Sequence, residues 1–165
     1  MPNYLVPRHK VLIFYGLPVG QSGSSVQWTR LHYHTELTIN RNPEEYERKY
    51  VDEATKRSDI VAYATSISYG FDKFTGDAVQ SDLLNIINNE KTGEDAIRKL
   101  AIVDISTVGS SGTATAYIHD YSVIPGSEGD DENAYTYSGE FKAAGELSTA
   151  TVSSTSDWET FTINT

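Results

Sequence analysis

The chain has 165 residues, 38% of them hydrophobic, with no cysteine and a formal net charge of −10. Its length supports one core, the missing thiols exclude disulfide frameworks, thiolate nucleophiles and Cys-based zinc sites, and the acid excess opposes the counterion release behind ordinary nucleic-acid binding. That excess is uneven: residues 1–119 hold 12 basic and 14 acidic side chains, and residues 120–165 hold 1 and 9.

A composition of 17 Ser, 17 Thr and 11 Tyr suits half-exposed strands more than helices, so a mostly β domain over 1–165 is expected. The apolar run 11–17, VLIFYGL, is too short to span a bilayer, and no small-residue cleavage site follows a long enough apolar region. Synthesis in the cytoplasm is expected. Residues 1–25, punctuated by Gly16, Pro18, Gly20 and Gly23, read as a flexible N-terminal segment. The GQSGSS stretch at 20–25 lacks the G-K-[ST] ending of a phosphate loop and reads as a flexible loop.

The first expected strand is 26–31. The second, 35–41, alternates Leu37 and Ile39 with Glu36, Thr38 and Asn40, the period-2 mark of one buried face. Pro43 lacks the ladder donor and favours extended geometry at Asn42, so the chain should leave the sheet there. Residues 42–58 then read as a long charged loop. Within it stand Pro43, Glu44, Glu45, Tyr46, Glu47, Arg48, Lys49, Tyr50, Asp52, Glu53, Lys56 and Arg57. Interleaved charge with two tyrosines and almost no core formers suits a partner surface. A strand over 59–69 should place Val61, Tyr63, Thr65, Ile67 and Tyr69 on one face.

One helix is expected over about 77–90, capped by Asp77 with Gln80 in the capping-box position. Val79, Leu83, Ile86 and Ile87 form its apolar stripe, and Asn88, Asn89 and Gly93 its stop. Further strands are expected over 100–106, 113–124, 134–142, 147–153 and 158–163, separated by Gly/Ser or acidic turns.

No catalytic centre emerges. No G-x-S-x-G elbow places a serine nucleophile, and the Glu44/Glu45 pair lies among bases. His32 and His34, two apart, would share a strand face and could ligate a metal; with no third ligand evident, they read as polar or interface histidines. The run Glu128, Asp130, Asp131, Glu132 lacks calcium-loop spacing and reads as a solvated hairpin tip. Trp28 and Trp158 could line a sugar platform, but packing is the plainer reading.

The strings INRNPEEYERKYVDE, DIVAYATSISYGFDKFTGDAVQSDLLNIINNEKTG, VIPGSEGDDENAYTYSGEFKAAGE and SDWETFT resemble the major tail protein, or tail tube protein, of long-tailed bacteriophages, of the type found in phages of Gram-positive hosts. The resemblance implies a β-sandwich or barrel-like subunit with one flanking helix, six to a ring, the rings stacked into a virion tail tube. DNA would pass through the lumen without tight binding, and the loop 42–58 would project to the adjacent ring. It further implies a tape measure protein, a tail terminator and baseplate or tail-tip proteins as partners, with no enzymatic activity, cofactor, metal or membrane. Two alternatives are a β-sandwich binding module, such as a carbohydrate-binding or adhesin domain on a virion, and the inner tube of a contractile injection device.

Overall fold

The structure, a computed structural model, describes residues 3–20 and 25–165. Eleven strands and one α-helix are assigned among these residues. Six strands close into a barrel in the order β10 (Ser148–Ser153), β11 (Thr160–Ile163), β2 (Ser25–Arg30), β1 (Val11–Val19), β7 (Ile97–Asp104) and β8 (Thr113–Glu128). Pairing of β10 with β8, Ser148 opposite Ile118 through Ser153 opposite Thr113, completes the ring. Closure removes the exposed edges that an open sheet would carry.

Strand β8 is long enough to serve twice. Its first half closes the barrel, and its second half carries an extension of β9 (Thr136–Ala143), β6 (Ser66–Asp72) and β3 (His34–Asn40). Where β9 pairs with β8 beside its bulge, Gly139 permits the approach: a Cβ there would lie 2.3 Å from the Ile124 carbonyl oxygen. The close contact requires glycine.

Two cores follow from strand alternation. Inside the barrel, Leu12 and Phe14 of β1 meet Trp28, Ala101, Val103, Ala116, Val152 and Phe161. On the outer face, Ile13 and Tyr15 of β1 join Leu100, Phe71, Tyr69, Phe141 and the helix. The first expected strand thus had a predecessor. Strand β1 is buried on both faces from Leu12 to Gly16, so it shows a continuous apolar run and no alternation. The expectation for the GQSGSS loop lies, at 21–24, outside the described residues.

The helix α1 (Ala78–Asn88) buries Val79, Leu83, Ile86 and Ile87 as its stripe predicts. Eleven residues are too few for an isolated helix to persist in water, whereas each fully buried aliphatic side chain contributes about 1.5–3 kcal/mol, so packing decides. Asp77 caps it, Oδ1 accepting from Gln80 N at 3.1 Å. The capping box is half realised. The Gln80 side chain turns away from Asp77: its amide donates to the Asp72 carbonyl at 2.9 Å and accepts from Phe74 N at 2.9 Å.

The helix ends in a Schellman arrangement, with Lys91 N donating to the Ile86 carbonyl and Glu90 N to that of Ile87. The left-handed position is Glu90, φ 50°, with Gly93 at φ 62° three residues on. A side chain in that region costs energy that glycine avoids. Glu90→Gly is therefore expected to stabilise the protein by about 0.5–1 kcal/mol, raising the melting temperature by roughly 2–4 °C. Calorimetry showing a lower melting temperature would contradict this reading of the helix end.

Candidate assembly interface

The segment expected as a loop is a free-standing β-ribbon. Strands β4 (Pro43–Arg48) and β5 (Arg57–Tyr63) pair antiparallel from Pro43–Tyr63 to Arg48–Arg57, with a bulge opposite Glu44/Glu45. They form a two-stranded sheet separate from the barrel and its extension. Proline opens β4, where its missing donor breaks no ladder of the main sheet. The expected strand 59–69 is accordingly two strands: residues 60–64 stay exposed, whereas Thr65, Ser66, Ile67, Tyr69, Gly70 and Phe71 are buried. Val61 and Tyr63, 60% and 61% exposed, are outside the core.

Asn42 directs the departure. It takes φ 45° rather than the extended conformation expected before proline, a region asparagine tolerates better than most residues. Its side-chain amide donates to the Ala64 carbonyl at 3.0 Å and to Ser66 Oγ at 3.3 Å, while its own carbonyl accepts from Ala64 N at 3.2 Å. These bonds clamp the root of the hairpin.

Every residue from 41 to 64 is exposed. Tyr46, Tyr50, Val51, Ile60, Val61 and Tyr63 present apolar surface, interleaved with charge. Lys56 pairs with Glu47 at 2.7 Å and Arg57 with Asp59 at 3.2 Å. The Arg48 guanidinium donates to the Tyr46 hydroxyl and lies 5.1 Å from that ring's centroid. Exposed ion pairs contribute roughly 0–1 kcal/mol each, and a two-stranded ribbon is marginal in water. All twelve residues singled out in the sequence, Pro43, Glu44, Glu45, Tyr46, Glu47, Arg48, Lys49, Tyr50, Asp52, Glu53, Lys56 and Arg57, lie on this one projection.

The two histidines do not share a strand face, because Tyr33, at φ 64°, breaks the chain between them. His32 Nε2 lies 2.5 Å from Glu159 Oε2, and His34 Nδ1–H donates to the His32 carbonyl at 2.9 Å. Among the described residues no three His, Asp or Glu side chains are grouped to hold a metal. Burial pushes the His34 imidazole below its ordinary value, opposed by its bond to the His32 carbonyl and by Asp77; its Nε2 is buried with no hydrogen-bond partner among the described residues. The unfolded chain therefore binds this proton more readily than the folded one. Stability is expected to fall as pH drops from about 6.5 through the lower folded-state value, at most about 1.4 kcal/mol per pH unit. Denaturant titrations between pH 7.5 and 5 should show a shallower fall for His34→Gln than for the native chain; identical slopes would refute it.

The acidic run is an exposed turn between β8 and β9 that uses its own carboxylates. Glu128 accepts from the Tyr135 hydroxyl at 2.8 Å, Asp130 from Thr136 Oγ1 at 2.9 Å, and Asp131 from Asn133 N at 2.7 Å. Trp28 is buried, stacked on Phe161 with centroids 5.3 Å apart, so it offers no sugar platform. Asp82 was invisible as a structural residue in sequence. It accepts from the Tyr15 hydroxyl at 2.5 Å and from Arg98 Nε at 2.8 Å, joining α1 to β1 and β7. Burial first, then the Asp82 carboxylate, push the Tyr15 phenol far up, so it stays a neutral donor.

Neither a family model nor a curated protein sequence matches the chain. Solved structures do match in fold. A chain from the tail of an empty gene transfer agent particle, refined with C6 symmetry, aligns at 14% identity over 86% of this chain and 96% of its own, with a TM-score of 0.59. A chain from the virion of a native gene transfer agent aligns at 11% over 87% and 97%, TM-score 0.58. A third, from the sixfold-symmetrised baseplate of the anti-feeding prophage, aligns at 9% over 90% and 97%, TM-score 0.54. The closed barrel with its three-strand extension and single flanking helix is thus the tail-tube fold.

Proposed function

We propose that this chain is a structural subunit of a bacteriophage tail tube, six copies to a ring, the rings stacked by hairpins 43–63. The observation that carries the reading is that hairpin: a marginal ribbon with apolar and charged groups on both bare faces, rooted by a clamp on the β3–β6 extension of a closed barrel. Such a ribbon gains its order from a neighbour. The fold likeness to chains from a sixfold tail supports the ring. The sequence resemblance to tail proteins of phages of Gram-positive hosts narrows the class further.

The mechanism is assembly and passive conduction. DNA slides without adhering where like charge denies it phosphate contacts, so the lumen surface carries excess carboxylate, drawn from Asp72 and from those acids of 120–165 other than the ion-paired Asp120, Glu140 and Glu159. Asp77 and Asp82, already engaged at the helix cap and the Arg98 pair, are not free for that role. The partners are other copies of the chain, a tape measure protein, a tail terminator and baseplate or tail-tip proteins. The subunit is made in the host cytoplasm, resides in the virion and performs no catalysis.

Electron micrographs of the concentrated protein test this directly. Stacked rings or tubes are expected; a monomer retained on a glycan column would favour the binding-module alternative, against which the burial of Trp28 already counts.

A further inference from the structure

The hairpin leaves β3 at its C-terminal end, and a second feature lies at the other end of the same strand. A cleft of about 520 Å³ opens between the residues before β1 and the β2–β3 turn, with Val11 and Leu37 in its lining. Arg8, His9, Arg30 and His32 border it. In a chain of net charge −10, it holds two arginines. Nearby Glu159 is already held by His32 at 2.5 Å and by Arg30 at 3.7 Å.

Arg8 is fixed there and electrically unpaired. Its guanidinium donates to the Val11 carbonyl at 2.7 Å and the Leu37 carbonyl at 2.9 Å, and no carboxylate among the described residues forms an ion pair with it. The hairpin offers the opposite sign. Residues 43–63 hold six acids and four bases; Glu47 and Asp59 are paired within the ribbon, whereas Glu44, Glu45, Asp52 and Glu53 have no ion-pair partner among the described residues.

We infer that the hairpin of one copy seats in the Arg8–His9–Arg30 cleft of the next, its unpaired carboxylates meeting the Arg8 guanidinium. This rests on the stacking role proposed above and names the acceptor. The donor root follows the C-terminal end of β3 and the acceptor lies along its N-terminal half, so donor and acceptor are different surfaces and the contact is head-to-tail, the kind that can extend an assembly. The ribbon strands, of six and seven residues, reach about 20 Å from their root.

The test places the photoreactive p-benzoylphenylalanine at Tyr50 of the full chain, irradiates assembled tubes and maps adducts by mass spectrometry. Adducts are expected in peptides spanning residues 8–13 and 30–37 of a neighbouring copy. In parallel, Arg8→Glu should raise the concentration needed for tube growth at least tenfold, and Asp52→Lys with Glu53→Lys, beside Tyr50 in the ribbon's turn, should recover part of that loss. His9→Glu, at an exposed side chain, provides the same reading should Arg8→Glu fail to fold. Adducts confined to other surfaces, in a protein whose tubes still require the hairpin, would overturn the acceptor and leave the stacking role standing. Tubes that grow without the hairpin, or no tubes at all, would overturn both.

Discussion

Replacing residues 43–63 with a two-residue Gly-Ser link is expected to abolish tube growth while leaving a folded subunit. Asn42 and Ala64 already face each other across a 3.2 Å hydrogen bond, so a short link closes the gap without displacing β3 or β6. The ribbon contributes nothing to either buried cluster, and loop length enters closure entropy only logarithmically. Stability should stay within about 1 kcal/mol, or roughly 2–4 °C in melting temperature. Assembly should fail entirely. Thermal unfolding and micrographs of the same preparation read both halves: tubes of normal length, or a subunit that no longer melts cooperatively, would each refute the division of labour between barrel and hairpin.

The second large effect lies at the helix. Asp82 and Arg98, with side chains 16% and 14% exposed, form a two-pronged pair, Nε to Oδ2 at 2.8 Å and Nη2 to Oδ1 at 3.3 Å. Tyr15, fully buried, has its hydroxyl on the same carboxylate. Removing one partner leaves a largely buried guanidinium and a buried phenol without their acceptor, a loss near the top of the range for single substitutions. Asp82→Ala should therefore destabilise by about 3 kcal/mol, lowering the melting temperature by roughly 6–12 °C. Asp120→Ala, which breaks the exposed Lys99 pair, should cost under about 1 kcal/mol. Equal losses for the two variants would show that burial does not set the difference.

The elements legible in sequence were those with one buried face. Leu37 and Ile39 in β3, and Tyr137 and Phe141 in β9, alternate because one side meets the core and the other does not. The helix announced itself through Asp77 and a stripe at helical spacing. Strand β1 carried no period because Leu12 and Phe14 enter the barrel while Ile13 and Tyr15 meet the outer core. Its continuous apolar run was the available signal. Strands β4 and β5 carried none for the opposite reason: neither face is buried within the subunit. Their charge marked a partner surface, but their pairing depends on register, which charge does not encode. The Asp82–Arg98–Tyr15 cluster joins residues 16 and 67 positions apart, and no local pattern reports such a contact.

The most direct measurement of the central claim is a helical reconstruction, by electron cryomicroscopy, of the assembled full-length chain. The expected map has six subunits per ring around an open channel with a net-acidic wall, and each hairpin 43–63 ordered against a subunit of the next ring. A closed particle without a channel, a net-basic channel wall, or hairpins projecting freely into solvent would contradict the account.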